Sequence, residues 1–318
     1  MIRFIARRLL ALLPVLFVIS IATFALMSLV LGDPVLMILG EDASVDEASI
    51  ERLRQELGLN RPLLIQYTDW LRHVLAGDLG RSFRSPIEVR QAIVARLPVT
   101  LELTVLALTL AIILAIPLGI VAALYPGSRW DLSISSLAVI SLSIPNFWLG
   151  IILIFLFALK LGWLPSAGFV PLTVDPVQNL KFMVLPSLTL AAAYTGSLVR
   201  YTRSVMLDVL AQDYIRTARA KGLHSVSVIR GHARQNGLIP IVTVIGLELA
   251  GLFGGAVVTE TVFSLPGVGT LLIQAILGRD LPMVQGVILF IVGAVVVTNL
   301  ITDVAYAYLD PRVRSLYG

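Results

Sequence analysis

A chain of 318 residues that is 57% hydrophobic and 14% charged, with a mean hydropathy of +0.91, cannot hide its apolar side chains as a water-soluble domain does; that composition requires lipid. The absence of cysteine excludes disulfides, thiolate metal sites and a cysteine nucleophile. The net charge of +4 is read through where Lys and Arg fall relative to a membrane, so it does not point to nucleic acid.

A bilayer core takes roughly 20 apolar residues per helical crossing. Six stretches reach that length: 9–31, 103–124, 132–159, 182–199, 237–259 and 281–302. Glu248 is the one charged residue inside them. The first stretch follows Arg3, Arg7 and Arg8; it is too long for a removable signal peptide and lacks a small-residue cleavage site, so it reads as a retained first helix. With six spans and a cytoplasmic N-terminus, segments 1–8, 125–131, 200–236 and 303–318 lie inside and hold 13 Lys and Arg, against three (Lys160, Lys181, Arg279) in the two short outer loops. That asymmetry sets an orientation with both termini cytoplasmic. The 32–102 segment holds the other eight basic residues and is long enough to cross regardless of charge.

This outer segment carries its own helix signals. Ser44 and Glu47 form a capping-box pattern ahead of Ile50, Leu53 and Leu57, with Gly58 as a stop. Pro62 is placed to open a second helix with Leu64, Tyr67, Leu71 and Val74 on one face, and Ser85, Pro86 and Glu88 resemble the start of a third running into the second span. The expected fold class is an all-α membrane protein of six transmembrane helices with a small helical extracytoplasmic insertion after the first. Its division is 1–31 (N-terminus and first helix), 32–98 (insertion), 99–308 (five-helix core) and 309–318 (cytoplasmic tail).

No glycine-rich phosphate loop of the GxxxxGK type is present, so the chain does not bind ATP by that route. His73, His224 and His232 are scattered by topology and read as surface residues rather than a metal or triad site. The most informative stretch is cytoplasmic: Asp213-Tyr-Ile-Arg-Thr-Ala-Arg-Ala-Lys-Gly222-Leu, then a basic run, then Asn236-Gly-Leu-Ile-Pro240 opening the fifth span. Small Ala218 and Ala220 allow close approach, and Gly222 can take the left-handed conformation that stops a helix. Read alone, the segment is either a docking helix or a set of basic residues that anchors the loop inside.

These residues resemble the EAA loop (about 206–235) of ATP-binding-cassette importer permeases, in the form used by the first permease subunit of the dipeptide, oligopeptide, glutathione and nickel branch. Arg216-Thr217-Ala218 stand where the motif has EAA and Gly222 at its glycine. His232-Ala-Arg-Gln235 replace the I-x-L-P ending of the maltose type, the proline coming later as Pro240. The resemblance continues through Gly32-Asp-Pro34, Glu56-Leu-Gly-Leu59, Gly77-Asp-Leu-Gly80, Thr100-Leu-Glu-Leu103, Ser143-Ile-Pro-Asn-Phe-Trp148, Thr259-Glu-Thr-Val-Phe-Ser264, Pro266-Gly-Val-Gly269, Arg279-Asp-Leu-Pro282 and Asp310-Pro-Arg312. Each piece is weak alone; their order over nearly the whole chain carries the likeness.

The resemblance implies a bacterial inner-membrane transport subunit that is not an enzyme. It pairs with a second, homologous permease as a heterodimer and docks two cytoplasmic ATP-binding subunits through Asp213, Tyr214, Arg216, Thr217, Ala218, Lys221 and Gly222. It receives solute from an extracytoplasmic binding protein. No cofactor is expected on this chain, ATP and Mg being held by the partners. Peptides are the first substrate expectation, with nickel complexes, glutathione or opines open.

Glu248 lies near the middle of its span, where an ionised carboxylate costs roughly 2.5–3.5 kcal/mol on insertion scales, so it faces a cavity, a structural partner or is a protonated buried acid. The neighbouring Gly246, Gly251, Gly254 and Gly255 suit close helix packing or solute contact. Pro145 predicts a kink in the third span, and Asn146 satisfies freed backbone groups or lines a pathway. Glu248, Asn146 and Pro145 are the translocation-path candidates; Trp148, Trp163 and Tyr125 read as packing or interface anchors. An intramembrane enzyme would need a convergent nucleophile or acid/base pair, which Glu248 alone does not supply. A passive channel would need no docking loop.

Overall fold

The computed structural model describes residues 2–29, 35, 47–56, 58–221 and 234–309. It forms helices α1 (Ile2–Leu29), α2 (Glu47–Glu56), α3 (Leu63–Leu75), α4 (Val89–Leu124), α5 (Arg129–Ser143), α6 (Asn146–Leu153, continued as a π-helical turn Ile154–Lys160), α7 (Pro176–Leu210), α8 (Asp213–Ala220), α9 (Arg234–Val262), α10 (Val268–Leu277) and α11 (Leu281–Leu309). Among the described residues there is no strand, only an isolated bridge between Arg81 and Glu88.

Where described, all six apolar stretches fall on helices, the third interrupted at Ile144 and Pro145. Four segments are by themselves long and apolar enough to cross a bilayer: Val89–Leu124, Pro176–Leu210, Pro240–Val262 and Leu281–Ala305. A fifth crossing arises if α5 and α6 with its π-helical extension count as one broken span, and α1 holds the shorter apolar stretch Leu10–Ala25. The third stretch is therefore not one kinked helix. The chain turns by 103° between α5 and α6, because Ile144 and Pro145 both leave helical geometry (ψ 122° and 134°) and proline supplies no N–H to continue the ladder. Gly150 then lets α6 settle inward, where a Cβ would press Phe263, Thr189 and Val262 at 3.2–3.3 Å.

The core is built on small residues. Leu103, Ala107, Ala111 and Ala115 recur every four residues on α4, a spacing that keeps them on one helix face, and all are fully buried. This stripe brings α4 close to α7, where Met183, Leu190, Leu198 and Val199 complete the cluster. At Gly119 the approach is so close that a Cβ would lie 2.6 Å from Thr202 Cβ and 2.9 Å from the Val199 carbonyl. Such packing is how helices associate where lipid removes the hydrophobic drive between them. Outward, Val105, Ile113, Leu137, Trp148 and Leu159 remain exposed, leaving an apolar perimeter.

Within the 32–98 segment, the described residues form α2, α3, the start of α4 and the irregular stretches between them. Gly58, at φ +68°, ends α2 in a Schellman pair, Leu59 N–H donating to Arg54 O and Gly58 N–H to Gln55 O. Pro62 caps α3, whose Tyr67 hydroxyl shares a 2.7 Å hydrogen bond with Ser20 of α1 while Phe24 packs edge-on to Tyr67 and beside Trp70. Beyond it, Asp280 accepts hydrogen bonds from Ser82 Oγ and the Phe83 N–H, tying the 77–88 segment to the α10–α11 turn. α4 begins at Val89, after Glu88, and runs unbroken through the expected 98/99 division. Ser44, Gly222, His224, His232 and the 310–318 tail lie outside the described residues.

Candidate functional site

Three polar constellations stand out, and the first begins where α7 ends. After Leu210 the chain makes one turn and starts α8 at Asp213. Ile215 is fully buried and packs among Ile120 and Ala123 of α4 and Met206, Leu207, Val209 and Leu210 of α7. Ile215 thus anchors α8 to the neighbouring ends of two spanning helices. Asp213, Tyr214, Arg216, Thr217 and Lys221 face outward. The Arg216–Asp213 contact is 3.6 Å between side chains 78% and 95% exposed, so it adds little stability. Thr217 Oγ1 back-bonds to Asp213 O at 3.0 Å, and the Lys221 N–H donates to Thr217 O. Ala218 belongs to α8, and Gly222 lies beyond the described residues.

Further along α7 is a pair that sequence reading missed. Asp131, buried at the start of α5, accepts from Arg203 Nε at 2.6 Å and Nη2 at 2.8 Å, and also from the Gly127 N–H and Ser135 Oγ. The fork of a guanidinium matches a carboxylate in this bidentate way, which a lysine does not reproduce. Arg203 counts only as an inside-facing cation in the charge asymmetry; an acid amid basic loops was the available signal for Asp131.

The second constellation runs at membrane depth along the α7–α9 seam. Glu248 Oε1 accepts from Ser197 Oγ at 2.5 Å. One and two turns further along α9, Gly251 and Gly255 leave room for Tyr194: a Cβ on Gly255 would lie 3.2 Å from Tyr194 Oη and 3.9 Å from Asn146 Nδ2. Glu248, Ser197, Tyr194, Gly255 and Asn146 are all partly exposed, and Gly251 is exposed. Two of the path candidates, Glu248 and Asn146, therefore share one seam about 10 Å long, and Pro145 breaks the helix so that Asn146 can open α6 beside it. Gly246 packs on Thr302 instead, its missing Cβ 2.0 Å from Thr302 Cγ2. Trp148 and Trp163 are exposed, Trp163 lying against Phe157 with ring centres 6.0 Å apart.

The third is structural. α9 ends in a Schellman motif with Ser264 at φ +52°, and the fully buried Glu260 reaches back to the start of α10. Its Oε1 accepts from Thr100 Oγ1 at 2.6 Å and its Oε2 from the Thr270 N–H at 3.0 Å; Thr100 Oγ1 in turn accepts from the Val268 N–H. A carboxylate at a helix N-terminus satisfies donors that have no partner inside the helix. Gly267 and Gly269 make room for it. The motif residues Thr259–Ser264 and Pro266–Gly269 are thus one clip joining α4, α9 and α10. No group of three or more His, Cys, Asp or Glu suited to a metal occurs among the described residues.

The profile of the family described as the binding-protein-dependent transport system inner membrane component matches residues 115–315, and that of its N-terminal part matches residues 1–104. The chain is 46% identical over 310 residues to a candidate peptide transport system permease protein of Brucella abortus (strain 2308), covering 98% of each. It is 40% identical over 314 residues to the oligopeptide transport system permease protein AppB of Bacillus subtilis (strain 168), covering 98% of this chain and 99% of that one. To the glutathione transport system permease protein GsiC of Escherichia coli O6:H1 it is 39% identical over 315 residues, covering 99% of each. In fold it is similar to a chain of the inward-facing MetNI methionine ABC transporter, with a TM-score of 0.58 at 17% identity, over 70% of this chain and 97% of that one. The expected resemblance is borne out along the whole length: the chain belongs to the binding-protein-dependent transport system inner membrane components, the membrane-spanning permeases of ATP-binding-cassette importers of the peptide type.

Proposed function

We propose that this chain forms half of the translocation path of an importer for peptides or solutes of similar size, pairing with a second homologous permease. It takes solute from an extracytoplasmic binding protein and is driven by two cytoplasmic ATPases that hold ATP and Mg. The observation that carries the coupling is the seating of α8: Ile215 fixes it between the inner ends of α4 and α7, while Asp213, Tyr214, Arg216, Thr217 and Lys221 stay on the outer side of the helix. A helix held this way passes a push from a cytoplasmic partner into two spanning helices at once, which is the rigid-body coupling alternating access requires. The names of the relatives support a peptide-like cargo. Glu248, Asn146 and Pro145 are the path residues in this reading, and both termini lie in the cytoplasm of a bacterial inner membrane.

The deciding experiment reconstitutes the permease pair with its ATPases in liposomes and adds binding protein loaded with a short peptide. Stimulated ATP hydrolysis with uptake supports the reading. Uptake that proceeds without ATP would replace it with a passive channel. Identification of the ligand copurifying with the binding protein separates peptides from glutathione, nickel complexes and opines.

A further inference from the structure

Glu248 is a carboxylate in mid-span with an unfilled role. Its Oε1 takes the Ser197 hydroxyl, and among the described residues Oε2 takes no hydrogen bond and no Lys, Arg or His forms an ion pair with it. The contrast with the other acids of the bundle is informative. Asp131 holds a bidentate arginine, and Glu260, fully buried, spends both oxygens on Thr100 and the α10 N-terminus. Those two are satisfied structural groups, whereas Glu248 is partly exposed on a seam and keeps one oxygen in reserve. An ionised carboxylate at this depth calls for a cation. A lone carboxylate without further oxygen ligands is a poor host for a metal ion.

The residues around Glu248 are small or aromatic. Gly251 and Gly255 strip side chains from the α9 surface beside Glu248, and Tyr194 lies across this gap, with its hydroxyl 3.4 Å and 3.2 Å from where their Cβ atoms would be. Asn146, at the α5–α6 break, closes the far end. A carboxylate with a free oxygen on a partly exposed seam, with an aromatic ring packed beside it, offers the contacts that receive a primary ammonium group.

Resting on the peptide reading above, we propose that Glu248, with Ser197 orienting its carboxylate and Tyr194 flanking it, binds the free α-ammonium group of the solute in transit. The path is then selective for solutes with an unblocked amino end, in addition to whatever the binding protein selects.

The test uses the complete complex in proteoliposomes, with labelled trialanine and N-acetyl-trialanine as probes, each presented on saturating binding protein. The readout is the ratio of the two uptake rates. The binding protein's own preference enters every permease form alike and cancels between them. Glu248→Gln is expected to lower the trialanine to N-acetyl-trialanine ratio about tenfold, the scale of one charge-assisted contact; Glu248→Asp, which keeps the charge on a shorter arm, falls between. If Glu248→Gln does not assemble, the Asp variant alone decides, since a displaced charge must still move the ratio. A ratio equal to wild type in the assembled variants overturns the assignment even if both rates fall together, as they would if Glu248 only packed or paired with the partner permease. A wild-type complex that takes up neither probe instead overturns the peptide reading and the ammonium assignment resting on it.

Discussion

Asp131 and Arg203, 72 residues apart in sequence, close a bidentate ion pair that ties the start of α5 to α7. Arg203 sits three residues before Met206, which packs on Ile215. The pair and the α8 anchor therefore share the C-terminal end of α7, and displacement of α8 is felt by α5 through it.

Removing Arg203 leaves a buried carboxylate with only its neutral donors. Breaking such a pair costs about 3–5 kcal/mol when both partners are fully buried; the Arg203 side chain is 31% exposed, and solvent screening trims the figure to about 1–3 kcal/mol. Arg203→Ala is expected to lower the thermal unfolding midpoint of the detergent-solubilised complex. Arg203→Lys should recover part of the loss, since it restores charge without the fork. Asp131→Asn combined with Arg203→Ala should cost less than the sum of the single changes; strict additivity would show that the two side chains are not coupled.

The Glu260 clip makes a steric prediction. Gly267 has an ordinary φ of −95°, so alanine there suffers no backbone strain, yet its Cβ would fall 2.2 Å from Glu260 Cδ. At Gly269 the clash is with backbone, 2.4 Å from Val257 Cα. Overpacking of this kind costs about 1–3 kcal/mol, so Gly267→Ala and Gly269→Ala should both reduce the yield of folded complex and its melting temperature, Gly269→Ala more. Gly254→Ala, with nothing within 4 Å of its Cβ, is the matched control and should behave as wild type in the isolated chain.

Orientation is tested by chemistry the chain lacks. With no native cysteine, a single cysteine at His73, exposed on α3, or at Lys221, exposed after α8, reports its side without background. An impermeant maleimide applied to intact spheroplasts is expected to label position 73 and spare position 221. The reverse pattern would invert the topology drawn from the Lys and Arg distribution.

How much of this was legible in sequence depends on whether the signal was local. The stop at Gly58 and the start at Pro62 each rest on residues within a turn of one another, and the structure places both where the spacing does. Glu248 could be singled out because one charge in an apolar stretch needs no partner to be noticed. The Asp131–Arg203 and Thr100–Glu260 pairs join residues 72 and 160 positions apart, and nothing near either member announces the other. Pro145 announced a bend but not its size, since the 103° turn depends on how Gly150 seats α6 against Phe263 and Thr189. The glycines near Glu248 divide in a way composition cannot show: Gly246 serves the contact with Thr302, whereas Gly251 and Gly255 clear the seam at Tyr194.

The last prediction concerns Ile215, because it separates docking from mere anchorage of the loop. α8 has eight residues, too few to persist as a helix in water on its own account, and its Ile215 side chain is fully buried. Truncating a buried isoleucine to alanine costs about 2–5 kcal/mol, more than so short a helix gains from its surface contacts. Ile215→Ala should therefore release α8 from α4 and α7 while the spanning helices, packed through the alanine stripe of α4, stay inserted. The expected outcome is a variant that reaches the membrane and copurifies with its partner permease, yet retains less ATPase or hydrolyses ATP without uptake. Lys221→Ala, at an exposed position where an ionic contact is worth about 0–1 kcal/mol, should lose far less. Copurification of the ATPases and uptake by the same preparations decide it: wild-type uptake by Ile215→Ala would show that force does not pass through α8, leaving its basic residues only the task of holding the loop inside.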